Sequence, residues 1–169
     1  VLYVGTFSKV LAPGLRLGYL ILPEPLVEPF LGARTVADTH SPLILQATLA
    51  EFMEGGHLER HIAKLRGLHR ERREALRQSL EERLGGALEV VAGDAGLHLT
   101  TFLPPGTDDR EVGRRAFHRG VEAPPLSDYR LGSPPRPGLV LGYGAVSVGE
   151  MPRGVERLAE AVEPLLKSC

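Results

Sequence analysis

One run of sequence limits the possible folds more than any other. Between His57 and Leu84, the apolar residues Leu58, Ile62, Leu65, Leu68, Leu76, Leu80 and Leu84 recur every three to four positions, with one gap at Arg72. That period predicts a single amphipathic helix. Gly55-Gly56 stand before it and Gly85-Gly86 after it, and glycine is the residue that most often ends a helix. At 1.5 Å per residue the helix would be ~42 Å long, a spine between two domains rather than a core helix of a small one. The organisation expected is residues 1–56 ahead of the spine, and residues 57–169 as a second domain that begins with it.

The flanking segments are shorter and obey other periods. Val1–Val4 reads as a buried strand, and Leu15–Leu22 as a second strand stopped by Pro23 and Pro25. A short helix is expected over Leu26–Leu31. A further helix should run to Met53, with Ser41 as hydroxyl cap and Pro42 at its first position. Beyond the spine, strands are expected at Leu88–Val91 and Leu97–Leu103, joined through Gly93-Asp94-Ala95-Gly96. An amphipathic helix capped by Thr107 covers Asp108–Arg119, and Val121–Pro124 reads as a short strand. After the Gly/Pro-rich loop Tyr129–Pro137 comes a strand at Leu139–Tyr143, then a last helix to Leu166. Strand and helix alternate here as in an α+β layer.

Bulk properties remove several classes of function. The net charge of −1 on 169 residues gives no global attraction to nucleic acid or to an anionic membrane. No apolar run approaches the ~18–20 residues of a membrane span. The single cysteine, Cys169, precludes an internal disulfide or a thiolate metal site, and a cytoplasmic location is expected. The chain opens on Val1, inside an apolar run, which reads as a piece of a longer protein.

The chemistry is concentrated in Gly5-Thr6-Phe7-Ser8-Lys9-Val10-Leu11-Ala12-Pro13-Gly14-Leu15-Arg16-Leu17-Gly18-Tyr19. A strand ends in two hydroxyls and a lysine, and an arginine opens the next strand seven residues later. That set suits an aldehyde cofactor bearing a phosphate. A partly desolvated lysine is a neutral nucleophile able to form a Schiff base. Hydroxyls and a guanidinium are directional donors to a phosphate dianion. A phosphate-binding P-loop does not fit the spacing after Gly5, and a dinucleotide fingerprint at Gly142-Tyr143-Gly144 fails because Ser147 stands where a third glycine belongs.

The segment resembles the Schiff-base lysine segment of fold-type-I, pyridoxal-phosphate-dependent aminotransferases of class I/II. Its wording is most similar to the branch holding kynurenine and 2-aminoadipate aminotransferases and the MocR-type (GntR family) transcriptional regulators. Gly96-Leu97-His98, Leu126-Ser127-Asp128-Tyr129 and Leu139–Tyr143 extend the resemblance over nearly the whole chain. It implies pyridoxal 5'-phosphate as cofactor, Lys9 as the catalytic Schiff-base lysine, and Thr6, Ser8 and Arg16 as phosphate ligands. It implies an α/β fold: the end of the large cofactor domain, then the α+β small C-terminal domain. It also implies a homodimer that takes a small-molecule amine or amino acid, and contact with DNA only through a domain outside this chain.

The resemblance carries two departures. The family residues that pair with the pyridine nitrogen, stack on the ring and bond its hydroxyl lie upstream of the lysine, so none is assigned here. Where many members carry a carboxylate-binding arginine before the last helix, this sequence has Val140, with Arg130 and Arg136 nearby. The leading reading is therefore the aminotransferase-like region of a MocR-type regulator. A free-standing aminotransferase acting on an α-amino acid is the alternative, and a non-catalytic dimerisation remnant a third.

Other features weigh less. Seven basic residues from Arg60 to Arg77 read as a solvated helix face with pairs such as Arg70–Glu74, ahead of a nucleic-acid face. His57 and His61 share a helix face at metal-site spacing, but no third ligand is evident and no metal is expected. His98 is placed either toward the small-domain core or toward the mouth of the active site. Tyr129 is expected to be an ordinary packed tyrosine.

Overall fold

The computed structural model describes residues 1–91, 93, 96–132 and 136–166. The expectations for Asp94, Ala95, the middle of the Gly/Pro loop (133–135) and Cys169 lie outside the described residues. The chain divides into two compact units, Val1–Leu65 and Arg66–Cys169.

The first unit opens with an antiparallel pair, β1 (Tyr3–Thr6) and β2 (Gly18–Ile21), in the register Tyr3↔Ile21 to Thr6↔Gly18. A tight turn and a 3-10 segment at Pro13–Leu15 join them. Helices α1 (Glu24–Ala37) and α2 (Leu43–Glu54) follow. Helix α1 is more than twice the length expected from sequence. Pro23 precedes it and Pro25 sits in its first turn, where a missing N–H breaks no helical bond, so the prolines start the helix as well as stopping the strand. Helix α2 departs at its cap: Pro42 occupies the cap position with no side-chain bond, while Ser41 Oγ accepts from Arg34 at 3.2 Å.

The strand expected to be buried at Val1–Val4 is exposed: Val4 is 72% exposed, and Leu20 and Ile21 on its partner 50% and 60%. Among the described residues of this unit, Leu17 and Leu58 are its buried hydrophobic side chains.

Helix α3 occupies His57–Leu84, the range its apolar period predicts. Gly86, at φ +82, takes the left-handed conformation that stops it at low steric cost. Its exposed pairs differ from expectation, since Glu74 bonds Arg77 one turn on at 2.7 Å in place of Arg70.

The second unit is built on an antiparallel sheet in the order β3 (Glu89–Val91), β4 (His98–Phe102), β5 (Gly138–Gly142). Leu99 faces Leu141 and Thr101 faces Leu139 across the β4–β5 ladder, and these residues are buried. They pack in one core with Leu80 and Leu84 of α3, Val112 and Ala116 of α4 (Asp109–His118), and Val155, Leu158 and Val162 of α5 (Met151–Leu166). Asp108, rather than Thr107, caps α4 by accepting from the N–H groups of Arg110 and Glu111. A carboxylate there also answers the positive end of the helix dipole. The short strand expected at Val121–Pro124 is reduced to a single bridge, Pro125↔Leu139, beside a bond from Val140 N–H to Pro124 O. Two prolines without N–H groups cannot continue a ladder.

Candidate functional site

Lys9 lies in the turn between β1 and β2. Leu11 N–H donates to Phe7 O at 2.8 Å, and Phe7 N–H donates to Leu17 O at 3.2 Å, so the turn is tied at its start to the lead-in of β2. The Lys9 side chain is exposed, with no hydrogen bond or ion pair among the described residues. The desolvation expected for it is therefore not supplied by these residues.

Thr6 and Ser8 are brought together. Thr6 Oγ1 donates to Ser8 Oγ at 3.1 Å and accepts from Ser8 N–H at 3.2 Å. The pair forms a compact set of hydroxyls one residue from Lys9. Arg16 does not open the strand as expected. It follows the 3-10 segment in the left-handed conformation, φ 49° and ψ 32°, with its N–H on Pro13 O. Such a backbone costs a non-glycine residue roughly 1–3 kcal/mol, and strain of this kind collects at sites where a side chain has work to do. Its guanidinium is exposed and without a partner among the described residues. A free amine, two adjacent hydroxyls and a free guanidinium on one short stretch fit a phosphorylated aldehyde in donor chemistry.

A cavity of about 540 Å³ lies in the same unit, lined by Thr6, Phe7, Val10 and Tyr19 on the strand side and by Arg34 and Met53 on the helices. Lys9, Ser8 and Arg16 are not on its wall. Sequence reasoning missed the small polar net at its edge, where Gln46 Nε2 donates to Ser41 O at 2.8 Å.

The other sequence candidates separate clearly. His61 Nε2 lies 2.9 Å from Val10 O, and His57 Nδ1 lies 3.0 Å from Arg60, so both rings are engaged within the protein. Among the described residues no group of three or more His, Cys, Asp or Glu is placed to hold a metal ion. Val140 is half-buried on the sheet face opposite Leu139 and Leu141, across from Thr100. Arg136 is committed: its guanidinium stacks 4.2 Å from the Phe102 ring and pairs with Glu89 at 2.5 Å, which holds the Glu89 carboxyl below its ordinary value. Arg130 is exposed and without a partner among the described residues. His98 is exposed rather than in the core, and Tyr129 is 65% exposed rather than packed.

Asp109 escaped the sequence reading altogether. It is 3% exposed and accepts from Ser127 Oγ (2.7 Å), Ser127 N–H (3.2 Å) and Gly138 N–H (3.1 Å), fastening α4 to the segment Leu126–Tyr129 and to the start of β5. Its partners are 18 and 29 residues away, so no local pattern announces it.

These two units together are the C-terminal part of the type I aminotransferase fold. The α-aminoadipate aminotransferase LysN of Thermus thermophilus, solved with N-(5'-phosphopyridoxyl)-L-leucine, matches 100% of this chain at 27% identity with a TM-score of 0.88, and the match covers 43% of that protein. Residues 1–129 match the family model for aminotransferase class I and II, and the chain belongs to that family. It is 34% identical over 174 residues to the HTH-type transcriptional regulator YhdI of Bacillus subtilis (strain 168), covering 99% of this chain and 36% of the relative. It is 35% identical over 163 residues to the probable rhizopine catabolism regulatory protein MocR of Rhizobium meliloti, covering 95% and 33%. The chain thus spans about a third of the length of these curated relatives. No helix among the described residues is long and apolar enough to cross a membrane.

Proposed function

We propose that this chain supplies the lysine and the phosphate ligands of a pyridoxal 5'-phosphate site in the aminotransferase-like region of a MocR-type transcriptional regulator. The observation that carries the reading is the turn that bears Lys9: the paired hydroxyls of Thr6 and Ser8 at its start, and Arg16 held in a strained backbone after its 3-10 segment. The cofactor contributes an aldehyde for a primary amine and a ring that withdraws electrons from the attached carbon. Lys9 Nζ is the amine that anchors it. Ser8 Oγ, with Thr6 Oγ1 once released from Ser8, would donate to the phosphate, and the Arg16 guanidinium would balance its charge.

The relatives YhdI and MocR support the regulator. In that reading the complete protein is a homodimer, touches DNA through a region outside this chain, and responds to a small amine or amino acid. With Val140 on the sheet face away from the core and Arg136 committed to Glu89, this chain offers a substrate carboxylate only Arg130 among the three positions weighed. That arrangement suits a sensor of a cofactor or an amine better than a transaminase of dicarboxylates. The enzyme reading has its own support, since 2-aminoadipate transaminase of Thermus thermophilus is 28% identical over 98% of this chain.

Borohydride reduction of the complete protein with pyridoxal phosphate, followed by peptide mapping, tests the site. A pyridoxyl adduct on Lys9 is expected. An adduct on Lys64, with Lys9 unmodified, would overturn it. Single-turnover spectroscopy with glutamate separates the two readings: slow, incomplete conversion is expected of the regulator, and rapid, complete conversion of an enzyme.

A further inference from the structure

The turn that carries Lys9 is gripped by one side chain from elsewhere in the first unit. Val10 O, the carbonyl of the residue after Lys9, lies 2.9 Å from His61 Nε2 on α3, a contact made across 51 residues. A carbonyl can only accept, so Nε2 carries a proton and donates to it. Among the described residues this is the only hydrogen bond the turn from Phe7 to Leu11 receives from a side chain of another element. The other ties of the turn are its own Leu11–Phe7 bond, the Phe7–Leu17 bond to the β2 lead-in, and the local Thr6–Ser8 pair. Lys9 therefore sits between two fixed points, Phe7 on the strand side and Val10 on the helix side. The imidazole is half-buried, and its committed Nε2 is not available to a metal.

We propose that His61 is a positioning residue for Lys9. By holding the Val10 carbonyl it fixes the Val10–Leu11 peptide, one residue beyond Lys9, and so limits how far the turn that bears the lysine can shift. A lysine side chain has four rotatable bonds, so a fixed origin is the main constraint that the backbone can place on Nζ. Holding a reacting amine within a narrow range of positions is a contribution distinct from binding the phosphate. The inference rests on Lys9 being the cofactor amine.

The test uses the complete protein in native form and as His61→Ala, His61→Gln and His61→Glu. Glutamine keeps a donor at the reach of Nε2. Glutamate has the same length with no donor at neutral pH. Loss of one neutral hydrogen bond corresponds to a roughly 2- to 12-fold change. His61→Ala and His61→Glu should weaken pyridoxal phosphate by that factor, and pyridoxal equally, because the defect lies at the amine and not at the phosphate. Both should also move the pH at which the bound cofactor changes its absorbance, and His61→Gln should restore native values in both measurements. Native affinity and midpoint in His61→Glu, no rescue by glutamine, or a loss confined to the phosphorylated ligand would each overturn the proposal. Borohydride mapping of the native protein keeps the two layers apart. An adduct elsewhere than Lys9 removes the cofactor reading itself, whereas an adduct on Lys9 with indifferent His61 variants removes only this inference.

Discussion

The two units of this chain divide chemistry from stability. Val1–Leu65 holds Lys9, Thr6, Ser8 and Arg16, yet its sheet has two strands and its apolar residues Val4, Leu20 and Ile21 stand in water. Arg66–Cys169 carries none of the proposed site residues, but it closes a core in which Val112, Ala116, Leu139, Ala159 and Val162 are fully buried. A lone two-stranded pair is marginal in water, while three strands packed on helices have an apolar face to bury. The difference teaches that the reactive turn draws little rigidity from its own strands. What rigidity it shows comes from single bonds such as Phe7–Leu17 and His61–Val10.

The largest expected effect of this contrast is on hydrogen exchange in the chain by itself. Amides of β4 and β5 should exchange near the global opening rate, and those of β1 and β2 at least about 100-fold faster. The same chain should fail to bind pyridoxal phosphate at micromolar concentrations, because in the proposed site Lys9 and Arg16 would grip only its aldehyde and its phosphate. Equal protection in both sheets, or saturable micromolar binding followed by absorbance, would erase the distinction between the units.

Substitution sharpens it further. Leu139→Ala, at a fully buried position on β5, should cost about 2–5 kcal/mol in urea unfolding. Val4→Ala, on a strand that is 72% exposed there, should change stability by no more than about 0.5 kcal/mol. Comparable losses at the two positions would show that β1 is packed in solution.

The legible parts of this fold were those governed by local rules. Helix α3 could be placed to the residue because its apolar period and its paired glycines lie within the helix and at its ends. Strands β3, β4 and β5 were displaced by one residue at their ends, as expected where hydrogen bonds rather than side chains define a boundary. The misplaced features depended on competition or distance. Thr107 and Asp108 both suit a cap, and the carboxylate takes it. The exposure of Val4 depends on what packs against a sheet, which alternation of apolar residues does not encode. At the site, the residue types and their order were readable around Lys9. The left-handed backbone of Arg16 and the hold of His61 on Val10 were not, since each is set by contacts across the fold.

At the site itself the expected effect is intermediate. If Arg16 holds the phosphate as proposed, Arg16→Ala in the complete protein should remove a charged contact worth about 1.5–3 kcal/mol, a roughly 10- to 150-fold loss of affinity for pyridoxal phosphate. Pyridoxal, lacking the phosphate, should be almost unaffected. Equal losses for the two ligands would assign Arg16 a role in holding the turn instead, and would place the strained backbone in the service of structure.

The smallest expected effect concerns acid, and it should fall in the second unit. Glu111 on α4 is held down to about 2 by hydrogen bonds from Arg114 and Arg115, the first being the larger cause. Both contacts are 2.7 Å long. Glu74, Glu89 and Glu150 are also held below the ordinary carboxylate value, by Arg77, Arg136 and Ser147 respectively. All four belong to Arg66–Cys169. For each, the native state binds a proton less readily than the unfolded chain. The stability contributed is therefore complete above the ordinary carboxylate pKa and is lost as pH falls through the depressed one. For Glu111 the window runs from about 4.5 down to about 2. These pairs stand at the surface, where water and salt screen them, so the slope should be shallow and should flatten further in concentrated salt. Glu111→Gln should remove its share of the slope below pH 4.5, leaving the variant slightly less stable than native at pH 7 and level with it as pH approaches 2. The measurement is urea unfolding of the chain across that window, followed by a probe in α4, beside the exchange of β1 and β2. Acid that loosens β1 and β2 first, with α4 unchanged, would show that the carboxylates that matter lie in the first unit.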